Sequence, residues 1–239
     1  MATLAEPQDN PAARDRIFFF LLAMLIAVTT FAGFALQLSA GRSSFGAPWW
    51  VHLHAITFMG WLAIFATQNA LVASGAIGAH RRFGPIAAGY AVWMIIAGEG
   101  AMILCVVTGR VPPFFTSSAF LAQGLAELAV FGGLTAAGVL NRDRPDWHRR
   151  LMLSATMMLM IPGIERLLPV PLMTGWVHLA DWAWISLYAA IGMGYDFATR
   201  GRVHPAWLWG VGAITVASLL IEPLGATSPL QAFARYLAG

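Results

Sequence analysis

The sequence predicts an all-α fold, a polytopic membrane helical bundle of seven transmembrane helices. Three observations carry that expectation. Of 239 residues, 59% are hydrophobic and 10% charged, against about 45–50% and about 25% in soluble domains. Apolar runs of roughly 20 residues recur, each long enough at about 1.5 Å per residue to cross a hydrocarbon layer about 30 Å thick. The basic residues alternate between loops. Arg14, Arg16, Arg81, Arg82, Arg142, Arg144, Arg149, Arg150, Arg200 and Arg202 fall on one side, and Arg42, Arg110, Arg166 and Arg235 on the other. That bias places the amino terminus in the cytoplasm of a bacterial inner membrane, and an odd number of crossings puts the carboxyl terminus in the periplasm.

Residues 1–16 read as a polar cytoplasmic leader. The apolar run that follows, about 22 residues, exceeds a signal-peptide core, and no small-residue cleavage site follows it, so a retained first crossing is expected at 17–38. Further crossings are expected at 49–73, 85–107, 117–140 and 151–168, bounded by Arg, Pro, Gly and Asn. The sixth, 175–198, carries Asp181 and Asp196, and the seventh, 206–222, is stopped by Pro223. Residues 17–222 thus form one membrane domain, and 223–239 an outer-side tail at the interface.

Composition also excludes chemistry. Every basic side chain other than histidine is an arginine, so a retinal or pyridoxal Schiff base and a phosphate-loop lysine have no amine to use. The net charge of +3 reports which loops face the cytoplasm, so membrane lipids are expected partners and nucleic acid is not. The single Cys105 forms neither an internal disulfide nor a Cys-x-x-Cys pair.

A pattern of ends recurs. His80-Arg81-Arg82 stands before the third crossing, His148-Arg149-Arg150 before the fifth and His204-Pro205 before the seventh. A glutamate follows these histidines by 19, 17 and 18 residues, at Glu99, Glu165 and Glu222. That is about 26–29 Å of helix, nearly the full apolar thickness. Three outward-running helices thus carry a histidine inside and a carboxylate outside. The inner groups read either as snorkelling anchors or as a converging set of His80, His148 and His204. Arg81, Arg82, Arg149 and Arg150 are expected to meet lipid headgroups rather than substrate.

The candidate site lies in the outer half. His52 and His54 are about 200° apart on a helix, so only one faces inwards. His54 shares a face with Trp61 and Gln68 at heptad spacing, which marks it as that one. His178 and Asp181 lie one turn apart at the start of the sixth crossing, and Tyr188 and Tyr195 continue that side as a hydrogen-bonded seam. Glu99, Glu127 and Glu165 add carboxylates from three further crossings, with Gln123 one turn before Glu127. An ionised carboxylate at mid-bilayer costs about 2.5–3.5 kcal/mol, so such groups need partners, protons or water and are functional candidates by default. Pro162 interrupts the fifth crossing just before Glu165 and Arg166. His54, Glu99, Glu165, Arg166, His178 and Asp181 match in depth, with Glu99, Glu165 and Asp181 the candidate catalytic acids.

Two chemistries follow from the residues alone. A metal-dependent membrane hydrolase would use His54, His178 and Asp181 as ligands and Glu99 as general base, although neither His-x-x-x-His nor His-Glu-x-x-His occurs. A non-catalytic proton-coupled carrier, or an assembly subunit with a membrane-complex partner, would use the carboxylates and histidines as titrating or docking groups.

A resemblance adds a third. The segments HLHAITFMGWLAIFATQNALVASG, AHRRFGPIAAGYA and DWHRRLMLSATMMLMIPGIERLL are similar to a widespread, uncharacterised family of bacterial multi-pass membrane proteins with HRR-L/F-G and WHRRLM motifs. His54, His80, Arg82, Gly84, His148, Arg150 and Met152 carry the match, which spans about residues 50–168. That family distantly resembles the four-helix b-type membrane cytochromes. The resemblance implies haem b or quinone-linked electron transfer, with His54 and His178 as an outer axial pair and His80 and His148 as an inner one. The chain departs from those cytochromes in lacking their regular within-helix histidine pairs.

Overall fold

The computed structural model describes residues 10–43, 45–168 and 177–239. Among these the regular elements are all helices: α1 (Pro11–Ser39), α2 (Trp49–Ala73), α3 (Ile77–Val107), α4 (Ser117–Leu140), α5 (Pro145–Met158), α6 (Ile161–Leu167), α7 (Val177–Arg200), α8 (Pro205–Gly225) and α9 (Ser228–Ala238). Five of them, α1, α2, α3, α4 and α8, are long and apolar enough to cross a membrane.

Local chemistry sets the boundaries and corrects several expected ones. Asn10 Oδ1 accepts from the Ala12 and Ala13 N–H groups, and Pro11 occupies the first turn, where its missing N–H costs nothing. Helix α1 therefore begins at Pro11 rather than at residue 17, and residues 11–16 of the expected leader are helical; residues 1–9 lie outside the described residues. Helix α3 begins at Ile77, so His80-Arg81-Arg82 sits in its first turns, and it runs through Pro85. Pro223 does not stop α8, which continues to Gly225, because a proline this close to a helix end removes only one backbone bond.

The expected fifth crossing, 151–168, is two helices. After Met158 the chain tightens, with the Leu159 N–H donating to Thr156 O at 3.1 Å and Met160 N–H to Met157 O at 3.0 Å. Pro162 has no N–H for Met158 O, so the ladder restarts as α6. Helix α7 opens at Val177, and residues 175 and 176 of the expected sixth crossing lie outside the described residues. The expected tail, 223–239, contains the last turn of α8 and then α9, which packs on α3, α4 and α8.

Helix α4 sits centrally, packed by α3, α5, α8 and α9. Apolar side chains on the other long helices point outwards: Leu21, Val28 and Phe31 of α1, and Leu208, Trp209 and Leu219 of α8, are exposed. That is the distribution expected where the surrounding medium is itself apolar. Small residues allow the closest approaches. A Cβ on Gly33 of α1 would lie 2.1 Å from the Gly163 carbonyl oxygen of α6, and one on Gly192 of α7 would lie 2.2 Å from the Trp207 ring of α8.

Contacts sort the helix ends into two sets. The starts of α1, α3, α5 and α8 meet the finish of α4 and α7: His80 and His148 rings lie 6.1 Å apart, Trp147 and His204 rings 5.4 Å apart; His148 reaches Gly138 O, and Arg149 and Tyr195 both reach Asp15. At the opposite end the finish of α1 meets that of α6 through Gln37 Nε2 and Arg166 O at 3.4 Å. The start of α7 meets the finish of α8 through His178 and Glu222.

Candidate functional site

Two polar assemblies, one at each end, occupy the interior. The first, at the end opposite the arginines, is built on Gln123, one turn before Glu127 on α4. Its Nε2 donates to Glu127 Oε1 at 2.6 Å and to Glu165 Oε1 of α6 at 3.1 Å. Gln123 and Glu127 are 5% and 8% exposed. Asp181, in the first turns of α7, is 2% exposed and neither of its oxygens has a protein partner. Glu127 feels the charges of Glu165, Asp181 and, more weakly, the half-buried Glu99 of α3. Arg166 is directed away: its Nη1 donates to Pro162 O, and its guanidinium lies 4.4 Å over the Phe34 ring.

The unmet atoms of this site share one character. Both NH groups of Gln123 are engaged by carboxylates, while Gln123 Oε1, Asp181 Oδ1 and Asp181 Oδ2 are buried without partners. All three are acceptors, so whatever satisfies them must donate: a proton, a water or a cation.

At the arginine-rich end, Arg150 of α5 and Asp196 of α7, both 0% exposed, form a fork-to-fork pair. Arg150 Nε donates to Asp196 Oδ2 at 2.7 Å, and its Nη2 to Oδ1. Trp207 Nε1 adds a donor to Oδ2 at 3.0 Å and Arg200 Nη1 one to Oδ1 at 2.9 Å. Beside it, Asp15 accepts from Tyr195 at 2.8 Å, Arg149 at 3.1 Å and Arg200. The headgroup role expected of Arg150 is thereby corrected, because it is enclosed and committed to Asp196; Arg149, partly exposed, pairs with Asp15 and the exposed Asp146, and Arg81 and Arg82 are exposed.

His204 caps α8 at this end. Its Nδ1 accepts from Ala206 N–H at 3.2 Å. Burial, reinforced by the Arg150 charge, holds its imidazole below the ordinary histidine range.

The expected histidine pairs fare differently. His54 lies in the bundle with Nδ1 buried and its ring 4.3 Å from Phe58, whereas His52 turns back to Phe45 O and Ala47 O. His178 has Nε2 3.2 Å from Glu222 Oε1 and its ring against Phe115. His54 and His178 are thus engaged by different neighbours, and Asp181 by neither. Among the described residues no three His, Cys, Asp or Glu side chains are grouped to hold a metal ion, so His54, His178 and Asp181 are not assembled as a ligand set. His80 and His148 do meet. The tyrosine seam is as expected: Tyr188 donates to Thr29 at 2.7 Å and Tyr195 to Asp15.

Glu99, Glu165 and Asp181, the expected catalytic acids, lie on three helices around Glu127, whose partner one turn earlier, Gln123, bridges it to Glu165. The i, i+4 spacing signals the pair but not that bridge. The third glutamate of the repeat is not equivalent, since Glu222 is mostly exposed. Compared with known proteins, the chain matches no family model, no curated protein and no solved structure.

Proposed function

We propose that this chain is a seven-crossing inner-membrane protein with its amino terminus in the cytoplasm, acting as a proton-coupled carrier. Gln123, Glu127, Glu165 and Asp181 are its proton-binding site. Five crossings are α1, α2, α3, α4 and α8. The sixth and seventh segments are α7, of 24 residues, and α5 with α6, which run from Pro145 to Leu167. Each reaches about 34–36 Å at 1.5 Å per residue. The two sets of helix ends support the alternation of seven crossings. Ten arginines at one end against four at the other supply the orientation.

The observation that carries the reading is the surplus of buried acceptors at Gln123 and Asp181. Three carboxyls in mutual electrostatic range, of which Glu165 alone has the neighbouring Arg166 charge to offset it, are costly while ionised and are relieved by protons. The opposite end carries the Arg150–Asp196 and Asp15 ion-pair networks, so the acid site is separated from that end by a layer of compensated charge. A carrier needs that asymmetry to hold a proton on one side at a time.

Charge displacement after a pH jump, recorded from proteoliposomes on a solid-supported membrane, tests this. The wild type gives a transient current as protons enter the site, and Asp181→Asn or Glu127→Gln removes it. A wild-type record identical to empty liposomes refutes the reading.

One observation favours a second reading, a b-type haem at the arginine-rich end. His148 Nδ1 pairs with Gly138 O at 2.8 Å, leaving Nε2 for a ligand, and His80 Nδ1 is buried without a partner. The two rings lie 6.1 Å apart, edge to face. His80 and His148 would hold the haem iron, and the exposed Arg81 and Arg82 would meet its carboxylates. Bound there, haem would supply one-electron chemistry, with a quinone as redox partner. His80→Ala and His148→Ala would each abolish the visible haem absorbance of the purified protein; a colourless wild type ends this reading.

A further inference from the structure

A small cavity lies where α1 and α2 meet the break between α5 and α6. Its volume is about 20 Å³, and Thr30, His54, Trp61, Leu159 and Pro162 contribute to its wall. Two of its polar neighbours are unsatisfied: His54 Nδ1 and Trp61 Nε1 are both buried with no protein partner. Thr30 spends its hydroxyl proton on Ile26 O at 2.8 Å and keeps only lone pairs for the cavity.

The chemistry of these groups selects the occupant. An indole N–H only donates, so the occupant must accept. The Thr30 oxygen can only accept, so the occupant must also donate. A bare cation fails the first condition and is opposed by Arg166, whose charge acts on His54. A halide fails the second. Water meets both, and a space of roughly 10–15 Å³ or more is enough for one molecule when it has two or more polar partners.

We propose that this cavity is a binding site for ordered water, anchored by His54, Trp61 and Thr30. The break after Met158 creates it, because a continuous helix would carry its side chains and backbone bonds straight past this point. His54 and Trp61 stand two turns apart on α2, so the water hydrates one face of that helix inside the bundle. The inference does not depend on what the acid site carries.

The test uses the wild-type protein in lipid bilayers, labelled with ¹⁵N at histidine and tryptophan. Water-edited solid-state NMR reads which ring nitrogens receive magnetisation from water. Trp61→Phe assigns the indole signal, and selective labelling assigns it independently should that variant fold poorly. Transfer from water to both Trp61 Nε1 and His54 at short mixing times, comparable with that at a surface indole, supports the site. Transfer at neither, or at only one of the two, overturns it, and does so whether or not pH jumps move charge at Asp181.

Discussion

Replacing Asp196 by alanine removes the acceptor for four donors: Arg150 Nε and Nη2, Arg200 Nη1 and Trp207 Nε1. Arg150 is wholly enclosed and has one other carboxylate near it, Asp146, at 3.5 Å. Its guanidinium would remain in the interior with its charge largely uncompensated. Removing one partner of a buried pair costs about 3–5 kcal/mol, and orphaning the Trp207 N–H adds about 1–3 kcal/mol where it cannot find water. The two overlap, so about 4 kcal/mol is the expectation, or a fall in Tm of roughly 8–16 °C for a chain of this size. Heating in detergent, followed by helix ellipticity, measures it. The double variant Arg150→Met, Asp196→Leu removes both charges at similar volume and should regain most of the loss. A change below about 2 °C in Asp196→Ala would show that the pair is solvated and the packing of α5 against α7 wrong.

Gly33→Ala should lower stability by about 1–3 kcal/mol or more, because the added carbon meets a backbone oxygen that cannot rotate away; Gly78→Ala, with nothing within 4 Å of the new carbon, is the control and should lose nothing. Stability should fall as pH drops below the ordinary histidine value of 6.5. His204 is held neutral in the folded state, so its contribution is complete above that value and is lost as the pH passes down through the depressed one. His204→Asn, which keeps a capping acceptor, should flatten that part of the profile in a pH series of melting curves. Single cysteines at Ala12 and Ala238, in a Cys105→Ala background, should react with an impermeant maleimide from opposite faces of oriented vesicles; labelling from one face would contradict seven crossings.

The sequence made some of this architecture legible and hid the rest for identifiable reasons. Apolar length found α1 to α4 and α8, since burial in lipid demands about 20 residues whatever the neighbours are. Helical periodicity chose His54 over His52 and aligned Tyr188 with Tyr195, because both are properties of one helix. What it missed depends on the rotation of separate helices about their axes. Arg150 and Asp196 are 46 residues apart, and only their packing turns a cluster resembling headgroup anchors into a buried pair. The acid site is legible by depth and by the Gln123–Glu127 spacing within α4, but the bridge from Gln123 to Glu165 is not, since nothing in a single helix says which amide reaches the next. The fifth crossing showed its proline but not that the chain would restart there as α6.

Protonation of the acid site is measured most directly by infrared difference spectroscopy of the protein in lipid across a pH titration. Protonated carboxyls have a carbonyl stretch distinct from that of carboxylates. A band of that kind should persist at neutral pH in the wild type and lose intensity in Glu127→Gln and in Asp181→Asn. A wild-type spectrum showing only ionised carboxylates at neutral pH would contradict a proton-binding cluster at Gln123, Glu127, Glu165 and Asp181.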